Sequence, residues 1–152
     1  MKKLITVFGA LMFIGSGCLT VNVDINADQG EVPDVSLSIA ADEVLEMATP
    51  SDNITVFEPL VSQEVDSVIF VEGEARVFEQ AFTWRLTDMV TGNAFEGHET
   101  TSATDIGLFG PFSFSINVPA DYGSNLLLEV FQYSAADGAQ IDTVSIPLIL
   151  TN

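Results

Sequence analysis

The stretch Phe82-Thr83-Trp84-Arg85-Leu86-Thr87 alternates apolar and polar residues without interruption. In an extended chain successive side chains point to opposite faces, so Phe82, Trp84 and Leu86 share one face. Thr83, Arg85 and Thr87 share the other and are candidates for a polar outer face. The same period recurs downstream. After Gly110-Pro111, the residues Phe112, Phe114, Ile116 and Val118 alternate with Ser113, Ser115 and Asn117. In 141–150, Val144, Ile146, Leu148 and Leu150 fall on one face, while 126–133 is apolar on both faces, as a central strand would be.

Upstream of Phe82 lie a strand over 54–60, ending near Pro59, and one over 68–77, where Gly73 predicts a bulge. Thr91-Gly92-Asn93 predicts a turn into a more polar strand over 94–102, and Asp137-Gly138 predicts a tight turn. About seven short strands without a convincing helix predict an all-β fold, an antiparallel two-sheet β-sandwich over residues 54–152. Trp84, Phe78 and Phe112 are expected in its core. The chain has one cysteine, so no internal disulfide can staple the sheets and packing alone must hold them.

Residues 1–17 read as a signal peptide, with Lys2 and Lys3, a short apolar run over 4–14, and the small residues Gly15-Ser16-Gly17. That run is too short to span a bilayer, which takes ~20 apolar residues. Ile14-Gly15-Ser16-Gly17-Cys18 resembles a lipobox, which implies lipidation of Cys18 after cleavage before it. A diacylated cysteine would supply two-chain anchoring. Residues 18–53 are rich in Asp, Glu, Ala and Ser and are expected to form a flexible acidic tether.

The formal net charge is −18, and after Lys3 the only lysine or arginine residues are Arg76 and Arg85. Such a chain cannot neutralise a phosphate backbone, which argues against nucleic acid as a partner. Anionic headgroups would repel it, so attachment to a membrane requires a covalent or apolar anchor, which the lipid on Cys18 would supply. Within the acidic segment, Asp24, Asn26 and Asp28 place oxygen ligands at alternate positions, as the start of a calcium loop does. Gly30 falls one place late for that loop, and Val35 stands where its bidentate glutamate belongs. These three residues are the candidate metal ligands, with calcium as the candidate ion; no other cofactor is expected.

Catalytic constellations are not evident. His98 is the single histidine, and Ser102 stands where the zinc-protease motif beginning at His98-Glu99 needs a second one. There is no nucleophile elbow and no phosphate loop. Glu96 and Glu99 are the kind of carboxylate pair that a hydrolase would use.

Three blocks carry a family resemblance: Val71-Glu72-Gly73-Glu74-Ala75-Arg76-Val77-Phe78-Glu79, Gly110-Pro111-Phe112, and Leu128-Glu129-Val130-Phe131-Gln132-Tyr133-Ser134-Ala135-Ala136-Asp137-Gly138. Together they resemble the immunoglobulin-like domain of bacterial spore-germination lipoproteins and other bacterial surface proteins. The resemblance implies an immunoglobulin-like fold, an extracytoplasmic setting and no catalytic residues. Glu79 is a candidate partner for Arg76 or Arg85.

The functional expectation is a non-catalytic, exported module, lipid-anchored on the outer face of a bacterial membrane, that binds or scaffolds an envelope protein or a wall polymer. A calcium-responsive adhesion or stabilisation module is the first alternative, and a carboxylate-based hydrolase the second.

Overall fold

The computed structural model describes residues 44–151. Cys18 and the trio Asp24, Asn26 and Asp28 lie outside these residues. Eight strands follow one another: β1 (Ile54–Glu58), β2 (Glu64–Val65), β3 (Val68–Ala75), β4 (Ala81–Asp88), β5 (Ala94–Thr100), β6 (Gly110–Asn117), β7 (Asn125–Tyr133) and β8 (Gln140–Leu150). A single 3-10 turn, Phe78–Gln80, joins β3 to β4. They form a three-stranded sheet, β1-β3-β6, and a five-stranded sheet, β2-β8-β7-β4-β5. The protein is thus an immunoglobulin-like β-sandwich.

The alternation read from the sequence sets which face is buried. Phe82, Trp84 and Leu86 of β4 turn inward beside Leu126, Leu128 and Val130 of β7 and Val144, Ile146 and Leu148 of β8. From the other sheet come Ile54, Val56, Ile69, Val71, Phe112 and Ile116. Each such side chain, fully removed from water, contributes about 1.5–3 kcal/mol before the entropy of ordering it is subtracted.

Aromatic rings bridge the two sheets. Phe82 meets Phe112 with ring centroids 4.6 Å apart, and Trp84 stacks on Phe114 at 6.0 Å. Phe95 meets the Trp84 ring edge-on at 5.2 Å. Gly97 lies opposite Trp84 in the β4–β5 ladder, and any Cβ there would overlap the indole. The Trp84 Nε1 donor is buried without a hydrogen-bond partner among the described residues.

Four features depart from the sequence reading. The sandwich has an eighth strand, β2, and it pairs with β8 in parallel, so the fold is not wholly antiparallel. Two residues are too few to show any periodicity. Gly73 is not bulged: it pairs in register with Val56 and Phe112, and it is glycine because a Cβ would strike the Thr55 carbonyl and the Phe112 ring. The register shift lies instead on β1, between Val56 and Glu58. Packing also begins before Ile54. Ala48 is buried in the core cluster, the Glu46 carbonyl accepts from Val61 N at 2.8 Å, and Ser51 Oγ accepts from Ile54 N at 2.9 Å.

One end of the sandwich, the base, is closed by a buried carboxylate. Asp88 ends β4 on the core side, and its oxygens accept from Val90 N (2.8 Å), Thr91 N (3.3 Å), Thr91 Oγ1 (2.8 Å) and Gly123 N (3.1 Å). It thereby ties the β4–β5 turn to the β6–β7 loop. These bonds, with that from Gly123 the largest influence, hold its pKa down to about 2.

Two predictions follow from this packing. Gly97→Ala should cost about 1–3 kcal/mol by overpacking and perturb Trp84 fluorescence; urea titration with unchanged stability and emission would show that the indole has room. Asp88, with a folded pKa below its ordinary 3.8, contributes fully above that value and loses its contribution as pH falls towards about 2. The stability gap between wild type and Asp88→Ala should therefore be widest above pH 3.8 and narrow in more acidic solution. A gap that is flat across this window in pH-dependent denaturation would refute the assignment.

Candidate functional site

Opposite the base, at the apex, four segments converge: the approach to β1, the β3–β4 turn, the β5–β6 loop and the β7–β8 hairpin. Their backbones are joined by Arg76 N to Asn53 O (2.8 Å) and Thr101 N to Gln80 O (2.8 Å). A polar relay reinforces them. Arg76 donates through Nε and Nη2 to Asn53 Oδ1 (3.0 and 2.9 Å), and Asn53 Nδ2 donates to Asp142 Oδ1 (3.1 Å). Gln132 Nε2 donates to Asp142 Oδ2 (2.7 Å), while Gln132 Oε1 accepts from Phe78 N (3.3 Å).

Backbone strain is concentrated here. Glu79 and Gln80 lie at φ 54° and 59°, and Asp142 at φ 54°, all in the left-handed region that favours glycine. Asp142 marks the place where the β7–β8 register shifts, between Val130 and Gln132. The two side-chain bonds it accepts hold it there. At the turn, Gln80 Nε2 donates to Ala103 O at 3.2 Å and ties the strained residues to the β5–β6 loop.

The turn thrusts its aromatic residue outward. Phe78, expected in the core, is 60% exposed, because the left-handed Glu79 and Gln80 lift the chain away from the sheets. Ile106 (69%), Leu108 (53%) and Phe109 (44%) on the facing loop are exposed as well. Between the two lies an open cleft of about 390 Å³ lined by Arg76, Val77, Phe78, Ile106, Gly107 and Gln132. The Arg76 guanidinium sits 5.0 Å from the centre of the Phe109 ring and forms no ion pair among the described residues. The apex thus combines exposed apolar side chains with a cation, a pairing suited to binding rather than to proton transfer. Glu79 bonds to neither arginine.

The outer face of the five-stranded sheet holds the other arginine. Arg85 donates to Glu96 Oε1 through Nη2 (2.6 Å) and Nε (2.8 Å), and through Nη1 to Glu129 (3.2 Å) and Gln140 (3.1 Å). Its guanidinium covers Phe131 at 4.9 Å, leaving that ring fully buried on a face expected to be polar. Thr83 is buried too and bonds to His98 Nδ1 at 3.0 Å. Glu96 and Glu99 do not converge: Glu96 stands opposite Arg85, whereas Glu99 stands opposite Phe82, on the other face of β5. Among the described residues, the carboxylates with displaced pKa values, Asp88 and Asp137, are both shifted downward, Asp137 chiefly by its bond from Ser134. Among the described residues, no group of three or more His, Cys, Asp or Glu side chains is placed to hold a metal ion. None of their helices is long and apolar enough to cross a membrane.

Two stacked sheets with connecting loops gathered at each end define an immunoglobulin-like module. The chain belongs to the Gmad2 family, the immunoglobulin-like domain of bacterial spore germination, whose model matches residues 53–139. No curated protein and no solved structure matches the chain. The matched span includes every apical residue named above except Asp142.

Asp142→Ala should free Asn53 and Gln132 and cost about 1–2 kcal/mol, with faster amide exchange at Phe78 and Arg76. Exchange rates there equal to wild type would show that the relay does not hold the apex.

Proposed function

We propose that the protein is a non-catalytic module held on the outer face of a bacterial membrane by a lipid on Cys18, and that its apex binds another envelope component, a protein or a wall polymer. The observation that carries this reading is the apical cluster of Phe78, Ile106, Leu108 and Phe109 around Arg76, which forms no ion pair among the described residues. Exposed apolar side chains gathered on strained, well-bonded loops are costly to keep in water and mark interaction surfaces. Membership of the Gmad2 family supports an extracytoplasmic setting.

Lipidation is tested by intact mass and detergent partitioning of the protein from a bacterial host, beside Cys18→Ala. Wild type alone should carry a diacylglyceryl mass and enter the detergent phase. Release of both as soluble protein cleaved near Gly17 would remove the anchor from the reading. Apical binding is tested by a photo-reactive residue placed at 109 or, as a control, at 145. Cross-links to envelope components should form from 109 and be lost with Phe78→Ser; equal cross-linking from 145 would point to another surface.

A further inference from the structure

The edges of the two sheets are not treated alike. β1 is interrupted by its register shift and ends at Pro59. The β8 edge is covered by β2 and by Ser62 and Gln63, which bond to Pro147 O and Ile149 N. β5 carries Glu96, His98 and Glu99 along its seven residues. Bulges, covering segments and charges are the means by which natural sheets keep stray strands from pairing with them. Among the described residues, β6 has none of these along its middle. Its eight residues pair with β3 in unbroken register, from Ala75↔Gly110 to Val68↔Asn117, and none is charged.

The direction of its free backbone groups can be fixed. Pro111 O accepts from Ser102 N in the β5–β6 loop at 2.8 Å, so residue 111 faces away from β3. In an antiparallel ladder alternate residues face the same way, so Ser113, Ser115 and Asn117 also turn their N–H and C=O groups outward. All three are exposed, and no loop or turn backbone bond among the described residues reaches them.

We infer that the free edge of β6 is an acceptor site for an extended segment of another protein in which apolar and basic residues alternate. The backbone of that segment would continue the three-stranded sheet, which supplies affinity, while its alternate side chains supply selectivity. One set would point into the seam between the sheets, where Phe114 and Phe95 are only half-buried. The other set would lie on the outer face. There Ser113 and Ser115 are small, and Glu72 and Glu74 of β3 stand opposite Ser113 and Pro111. Strands lie about 4.8 Å apart, so a lysine or arginine on the added strand can reach across a serine to the carboxylate beyond. A second copy of this chain fits poorly, because it would set the same acidic rows and two net charges of −18 against each other. This site lies apart from the apex and does not depend on it.

The test uses the full chain and a short peptide of alternating lysine and valine. Its controls are an isomer with the lysines and valines in separate blocks, and the protein variant Ser115→Pro. Proline at 115 removes only an outward donor and leaves the β3 ladder intact, as Pro111 already does on the same strand. The alternating peptide should bind and slow amide exchange at Ser113, Ser115 and Asn117. Ser115→Pro should weaken it about tenfold or more, with the far-ultraviolet spectrum unchanged, and the block isomer should bind less tightly. Equal binding of both peptides, or binding indifferent to Ser115→Pro, would show general attraction to an acidic surface and overturn the inference. Should Ser115→Pro fail to fold, the wild-type exchange pattern decides: protection elsewhere, or none, refutes the site. Self-association that protects the same three amides and excludes the peptide would refute it as well.

Discussion

Without a covalent link between the sheets, the fold rests on the contact between Trp84 and the rings around it. Trp84 spans the seam to Phe114, Phe95 closes on its edge, and the missing side chain of Gly97 gives the indole its place. Phe82 and Phe112 repeat the contact one step along. Among the described residues the indole N–H finds no acceptor, at a cost of about 1–3 kcal/mol. Inter-sheet ring contact outweighs that cost, since a buried tryptophan removes a large apolar area from water. β4, β5 and β6, three of the strands that lead into the apex, meet at this seam.

Each end of the sandwich is then closed by one carboxylate with several donors. At the base, Asp88 gathers backbone amides from two loops. At the apex, Asp142 gathers two side-chain amides, one from the approach to β1 and one from β7. The same chemistry serves different ends. The base is tied backbone to side chain and leaves the aliphatic Val68, Met89 and Val90 exposed, whereas the apex is tied through side chains and keeps the aromatic Phe78 and Phe109 in water. Arg85 is a third closure, roofing Phe131 with a guanidinium fixed by two glutamates.

Much of this architecture was legible in the sequence because burial on one face writes a period of two into the residues. The strands containing Trp84, Phe114 and Val144 were readable for that reason. The parallel β2 was not, since two residues carry no period. Phe78 misled because its exposure depends on left-handed φ values at Glu79 and Gln80, which no glycine announces. Asp142 was hidden in the same way: a non-glycine residue at a register shift looks like any polar residue of a strand. Arg76 could be singled out by charge, but its place over Phe109 depends on a loop whose path no periodicity encodes.

The entry of the chain also decides how the domain would answer a mechanical load. A pull on the residues before Glu46 meets first the Glu46–Val61 hydrogen bond and buried Ala48, and only then the Ser51 bonds that start β1. These attachments would yield one after another, as in peeling. The segment of residues 46–53 thus forms a short extensible leash that can lengthen under force before the sandwich itself is forced to unfold.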